Sequence, residues 1–365
     1  MLCVRLAGRR ALSTLAKSPL YLQQEQDKKD LTAVLPQVIE EIQEATKSCK
    51  IQSETEWLGK LLSYTVPGGK LVRALATYNA MRHLAPAGAA QDEEYLFHAK
   101  CLAWSVEIMQ AMFLVMDDIA DRAPMRRGKP CWHTVVGPAA VFDGLLVEHC
   151  VYHLAHRHLS AEVFDGVLDL LLRTVFQMAF GENNDLHSES TDGRGFHEFS
   201  LERFKALTKF KTGQYTYYTP TATAMLACGV SDPAAYEAAL DLGFDLGYVY
   251  QIQDDYLDVY GVIEDMGKQR TDIQNGKCTW LIVEAKKRAT KAQLKVLKNN
   301  YGYSDSAKVQ NVVQVFNELN MRQVCLDYEQ KMFNDITVKI NKYAKVLPPA
   351  LYTYVLESIK YHVNR

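Results

Sequence analysis

A chain of 365 residues with 48% apolar and 23% charged residues has the balance of a globular protein with a substantial core rather than of a disordered or membrane chain. Its formal net charge of -2 offers no concentrated positive face to a phosphate backbone, so no nucleic-acid partner is expected. The 8 cysteines contain no C-x-x-C pair, which argues against a structural zinc site and a secreted disulfide scaffold. No run approaches the roughly 18–20 consecutive apolar residues of a membrane span.

Residues 1–24 carry Arg5, Arg9, Arg10 and Lys17, and the first acid is Glu25. An amphipathic, arginine-containing, acid-free start predicts a mitochondrial transit peptide and a matrix location; the alternative is a disordered leader on a cytoplasmic protein. Residues 25–365 then read as one all-helical domain. Leu31, Leu35, Val38 and Ile42 give a helical face over 31–46, with Pro36 predicting a kink or a start near it. A helix over 54–64 stops at Pro67-Gly68-Gly69, and another starts around Lys70.

The span 92–121 is a long apolar helix that turns acidic at its end. Pro124 follows it, then a basic loop at 126–130. Helices are predicted over 145–159, 163–180, 201–218, 233–258, 278–289 and 309–340, with loops at 188–195 and 299–306. The β-branched residues around Thr221 and at 312–315 read equally as helix or strand. A single large all-α core is the economical fold.

Two acidic segments carry the chemistry: Asp117, Asp118 and Asp121, then Asp254, Asp255 and Asp258. On a helix, acids four apart share one face and repel each other without compensation. A hard divalent cation such as magnesium supplies it through oxygen ligands and can bridge a diphosphate; neither segment has the spacing of an EF-hand. Lys70, Arg73, Arg126, Arg127, Lys211, Lys268 and Lys277 add the cations that a diphosphate substrate needs.

Gly68-Gly69-Lys70-Leu71-Val72-Arg73, Gln110 through Arg126-Arg127-Gly128, Lys211-Thr212, 251–258, Gly267-Lys268, Thr271-Asp272 and Lys277-Cys278 occur in this order. With that set the chain resembles the short-chain trans-prenyltransferases of the farnesyl diphosphate synthase family. The resemblance implies an isoprenoid synthase-type helical bundle around a deep central cavity, working as a homodimer. It implies magnesium, with three ions in the closed substrate complex, held by Asp117, Asp118, Asp121, Asp254, Asp255 and Asp258, the last with Asp272 in a supporting shell.

By the same resemblance Arg126, Lys211 and Lys268 contact the allylic diphosphate, while Lys70, Arg73 and Arg127, with Gln110 nearby, bind isopentenyl diphosphate. Lys277 is a further substrate contact, and Lys211, Thr212 and Gln251 line the reacting region. The implied reaction is head-to-tail condensation of isopentenyl diphosphate with dimethylallyl or geranyl diphosphate to give farnesyl diphosphate. Geranyl diphosphate synthesis, a terpene synthase and a catalytically weak regulatory homologue are the alternatives.

Met112 and Phe113 lie one helical turn before Asp117 and are expected to close the hydrocarbon end of the cavity. Departures from the family pattern are Glu182 where a glutamine is usual, Val262, Gln269-Arg270 and Asn275-Gly276. The C-terminus holds only Lys360 and Arg365 as basic residues, with Arg365 a candidate cover for the isopentenyl diphosphate site.

Overall fold

The computed structural model describes residues 18–188, 195–261 and 271–360. Regular structure among them is helical apart from one two-stranded hairpin, so the expected all-α architecture holds.

Helix α1 (Pro19–Thr46) starts where the Ser18 side chain accepts from the Tyr21 backbone N–H at 3.0 Å and proline opens the first turn. It therefore begins inside the segment assigned to the leader. It also continues through Pro36, because Leu31, Leu35, Val38, Ile39 and Ile42 are buried together and their packing offsets one missing backbone donor. Asp27, buried, accepts from Arg82 at 2.6 Å and from the Tyr354 hydroxyl at 2.7 Å. The second bond ties α1 to a C-terminal helix, Pro349–Lys360, that the sequence reading did not identify.

Helices α2 (Gln52–Thr65) and α3 (Val72–Leu84) lead to α4 (Glu93–Ala120), the centre of the larger core. Helices α1, α3 and α6 pack on it. By length and hydropathy α4 is fit to cross a bilayer, yet 78% of an apolar 18-residue window within it is buried, as a core helix requires. The hairpin β1 (Met125–Arg126) and β2 (Lys129–Pro130) replaces the predicted basic loop, turning at Arg127 and Gly128 with φ of 52° and 75°. Helices α5 (Trp132–Val136), α6 (Ala140–His158) and α7 (Ala161–Ser188) follow. Helix α7 outruns its prediction, so Glu182 and Asp185 stand on its face.

Helix α8 (Leu201–Thr208), a wider-wound π segment (Lys209–Tyr218) and α9 (Thr219–Ala227) form one run. The ambiguous residues near Thr221 are helical: the Thr219 and Thr221 hydroxyls donate to the Gln214 and Tyr217 carbonyls at 3.1 and 3.3 Å. Helix α10 (Pro233–Tyr260) lies against the π segment. A Cβ on Gly247 would stand 2.3 Å from the Gly213 Cα, so glycine at both positions lets the two backbones touch.

Helix α10 serves two cores. Leu242, Leu246 and Val249 join the larger one, while Ile252 and Tyr256 join a smaller cluster around Trp280. That cluster is built with α12 (Trp280–Arg288), α13 (Lys291–Asn300), α14 (Ser306–Glu318) and α15 (Met321–Lys342), after the short α11 (Asp272–Asn275). The predicted helix over 309–340 is thus two helices, broken at Asn320 with φ 52°. Val312 and Val315, ambiguous in sequence, are buried on α14. The C-terminal ends of α4 and α10 bring the two acidic segments to one cleft.

Candidate active site

The cleft has a volume of ≈ 480 Å³, within the range of small-molecule sites. Asp117 and Asp121 line it from α4, and Asp254 lines it from α10. Lys277 joins the two sides: its Nζ is 4.0 Å from Asp121 Oδ2. Burial and Lys211 would depress the Lys277 ammonium, but Asp272, Asp185 and Asp121 hold it above its usual range.

Arg126 forks over the first segment, donating from Nε to Asp118 Oδ1 at 2.6 Å and from Nη2 to Asp117 Oδ2 at 2.9 Å. Burial by itself would lower the guanidinium; Asp118 and Asp117 raise it. Lys211 reaches from the π segment to α7, donating to Glu182 Oε1 at 3.0 Å and to Asp185 Oδ2. Burial opposes its charge, yet Asp185, Glu182 and Asp117 hold it well above the usual lysine range. The same lysine, with Lys277, keeps the Asp185 carboxyl low against its burial. Glu182 differs: burial, with Asp117 and Asp185 near, outweighs Lys211 and raises it.

Arg73 and Gln110 line the cleft beside Tyr215. The Arg73 guanidinium sits 4.3 Å from the Tyr215 ring centroid and donates to Thr216 Oγ1 at 2.7 Å. Arg127 runs back to the glycine loop, donating to the Pro67 carbonyl at 3.1 Å. It packs so closely that a Cβ on Gly69, where φ is 72°, would stand 2.7 Å from its Nη2. Buried Glu107, which accepts from the Ala74 backbone N–H at 3.0 Å, offsets the charge of this arginine group.

The cleft-facing donors of the two acidic segments are oxygens, the set that a hard divalent cation takes. Glu182 Oε2 is buried without a hydrogen-bond partner among the described residues and adds a carboxylate oxygen on the same wall. The residues present fit a divalent metal.

Residues 55–319 match the sequence profile of the polyprenyl synthetase family. The chain belongs to the polyprenyl synthetase family. It is 38% identical to the farnesyl pyrophosphate synthase of Kluyveromyces lactis, over 84% of this chain and 90% of that one. The corresponding figures are 35%, 91% and 82% for the enzyme of Murgantia histrionica. A T. brucei farnesyl diphosphate synthase complexed with bisphosphonate superimposes with a TM-score of 0.82 at 28% identity, covering 92% of this chain and 99% of that one. The protein is a trans-prenyltransferase, of a family that uses a divalent metal.

Asp118, Asp255 and Asp258, three of the six carboxylates expected to hold metal, have hydrogen-bond partners of their own. Asp118 is absent from the wall of the main cleft; buried, it takes the Arg126 Nε, and desolvation raises its carboxyl despite that arginine. Asp255 reaches the wall, but Oδ1 accepts from Gln251 Nε2 at 3.0 Å and Oδ2 from the Trp280 backbone N–H at 2.7 Å. Burial and Asp272 push it well above the usual carboxyl range. Asp258 accepts the Thr271 and Asp272 backbone N–H groups at 3.2 and 3.3 Å, at the start of α11.

Thr212 and Gln251 line the cleft and are joined by a 2.8 Å hydrogen bond. Of the predicted chain-length pair, Phe113 lines the cleft, edge-on to Tyr215 with centroids 5.4 Å apart; Met112 does not line it and lies in the core. Lys70 is exposed and, like Arg127, stands outside the main cleft wall. Lys268, Val262, Gln269, Arg270 and Arg365 lie outside the described residues.

The sequence reading missed Tyr215, Tyr250 and Met178, which line the same cleft. Spacing held a signal for two of them: Tyr215 is four residues after Lys211, and Met178 four before Glu182.

Proposed function

We propose that the protein catalyses magnesium-dependent head-to-tail condensation of isopentenyl diphosphate with dimethylallyl diphosphate and then geranyl diphosphate, releasing farnesyl diphosphate. The supporting observation is that Asp117 and Asp121 of α4 and Asp254 of α10 line one cleft whose wall also carries Arg126, Lys211 and Lys277. Asp117, Asp121 and Asp254 are the residues that would hold magnesium, three ions in the closed complex by family resemblance, with Glu182 a further oxygen on that wall. When bound, the metal supplies Lewis-acid neutralisation of diphosphate charge.

Arg126, Lys211 and Lys277 neutralise the charge that gathers on the allylic diphosphate as its C–O bond breaks. Their carboxylate partners hold them in position, so little reorganisation is needed at that moment. Arg73, Gln110, Lys70 and Arg127 bind isopentenyl diphosphate. Thr212, oriented by donating its hydroxyl hydrogen to Gln251 Oε1, offers oxygen lone pairs to the allylic cation, while Phe113, Tyr215 and Met178 keep water from it and take up the growing chain. The isopentenyl double bond attacks the cation, and the released diphosphate accepts the proton then lost.

Incubation with magnesium, dimethylallyl diphosphate and isopentenyl diphosphate tests the reading by product mass. A C15 diphosphate is expected; C10 alone assigns a geranyl diphosphate synthase, and neither product defeats the proposal. Hydrocarbon or alcohol released from geranyl diphosphate alone points instead to a terpene synthase.

The reading includes a homodimer. Phe142, Leu145 and Leu146 on α6, and Leu172, Phe176 and Phe180 on α7, are exposed large apolar side chains, with Phe142 at 77% and Phe176 at 72%. Such a surface favours a second copy of this chain as its cover. Light scattering should give twice the chain mass, and Phe142→Asp with Phe176→Asp should reduce it to one. Residues 1–24 are proposed to direct the protein to the mitochondrial matrix, on the strength of Arg5, Arg9 and Arg10 without an acid; failure to enter isolated mitochondria would reject this.

A further inference from the structure

Far from the cleft, three helices bring three different metal-ligating side chains together. Glu41 comes from α1, Cys101 from α4 and His158 from the last turn of α6, and a ligand atom of each lies within 4.8 Å of the other two. Cys101 precedes Asp117 by sixteen residues on the same helix, which separates the cluster from the acidic segment by about 24 Å at 1.5 Å per residue.

The cluster is built into the protein. Cys101 is 0% exposed, and the His158 side chain is 5% exposed. His158 Nε2 and Glu41 Oε1 are buried and stand 3.0 Å apart, and Arg157 Nε reaches the same Glu41 oxygen. The other ring nitrogen of His158, Nδ1, is 2.9 Å from His98 Nδ1. That contact fixes the ring and leaves Nε2 directed at the glutamate, as an outer partner does for a metal-bound histidine.

We propose that Glu41, Cys101 and His158 form a second metal site that takes zinc through one oxygen, one sulfur and one nitrogen, with water in the fourth position. The donors select the ion. Thiolate and imidazole suit zinc, whereas the all-oxygen cleft suits a hard cation. Ligands of a tetrahedral zinc at about 2.0–2.3 Å stand roughly 3.3–3.7 Å from one another, a separation that small side-chain rotations reach from the present arrangement.

The thiolate and the carboxylate balance the charge of the ion, and the thiol proton leaves to solvent on binding. Arg157, which contacts the same Glu41 oxygen, has a side chain 53% exposed and can turn to water. The sequence offered no C-x-x-C spacing because the ligands come from three separate helices. A metal here would pin α1, α4 and α6 together.

The test uses the full chain, stripped with chelator, reduced, and titrated with cobalt(II) as the probe while excess magnesium fills the cleft. One equivalent should produce thiolate-to-cobalt charge-transfer absorption with strong tetrahedral bands, and zinc should displace it. Cys101→Ser should lose the charge-transfer band; Glu41→Gln and His158→Gln should keep the band while binding about 10-fold or more weakly. Absence of the band in the natural chain overturns the proposal, as does its persistence in folded Cys101→Ser. If Cys101→Ser does not fold, unchanged cobalt affinity in both Glu41→Gln and His158→Gln overturns it equally.

Discussion

Lys277 Nζ stands 4.0 Å from Asp121 Oδ2, so the chain after the second acidic segment touches the last carboxylate of the first. This contact joins the two walls, and the same ammonium lies within the field of Asp185 and Asp272. Lys277→Met should leave the helices intact and remove one cation from the allylic diphosphate. A charged hydrogen bond contributes about 1.5–3 kcal/mol, so KM for that substrate should rise ~10- to 100-fold. Steady-state kinetics with geranyl diphosphate as the varied substrate measure it.

Arg126 holds Asp117 and Asp118 in a two-pronged grip. Removing it strands Asp118, whose side chain is 6% exposed. Arg126→Ala should cost about 3 kcal/mol of folding stability, read from denaturant unfolding, and should lower turnover. Arg126→Lys restores the charge without the fork, and should recover stability only in part.

Glu182 and Asp185 share Lys211 but respond oppositely to pH. Asp185 has its pKa depressed, so its contribution to stability is present above the unfolded value of 3.8 and lost as pH falls through the lower folded value. Glu182 has its pKa raised: its contribution is full below the unfolded value of 4.5 and lost as pH rises through the folded one. Glu182→Gln removes that loss. Its thermal midpoint should gain on the natural chain as pH rises from about 4.5 toward neutral; parallel midpoint curves would count against the burial of an ionised Glu182.

Met112 and Phe113 should separate cleanly on substitution. Met112→Ala opens a core cavity and should cost about 2–5 kcal/mol while leaving product length unchanged. Phe113→Ala removes the ring that meets Tyr215 in the cleft, and should shift the product mixture toward longer diphosphates by mass analysis.

Much of the site was legible because its chemistry is local. Asp117 and Asp121 lie four apart, and Lys211 and Arg126 stand in short motifs whose charge alone suggests an anion. Orientation was harder to read. Asp118 follows Asp117 by about 100° around the helix, so although both accept from Arg126, only Asp117 lines the cleft. Asp258 shares a face with Asp254 but lies one turn nearer the helix end, where the backbone of α11 returns to it.

The π segment was invisible to apolar periodicity, and the close contact of its Gly213 with Gly247 spans 34 positions of sequence. Pro36 misled for a related reason: local chemistry argued for a break, and the burial of Leu35 and Val38 on one face prevailed. The C-terminal helix was missed although Leu351, Val355 and Ile359, all buried, repeat at its spacing.

The central claim is that Asp117 and Asp254, from opposite walls, hold one metal–diphosphate assembly. Its most direct test is the turnover of Asp117→Asn and Asp254→Asn with geranyl and isopentenyl diphosphates at saturating magnesium, alongside thermal unfolding. Each variant should lose ~10²-fold or more of turnover with its thermal midpoint essentially unchanged. Turnover within a few-fold of the natural chain in either variant would contradict the account.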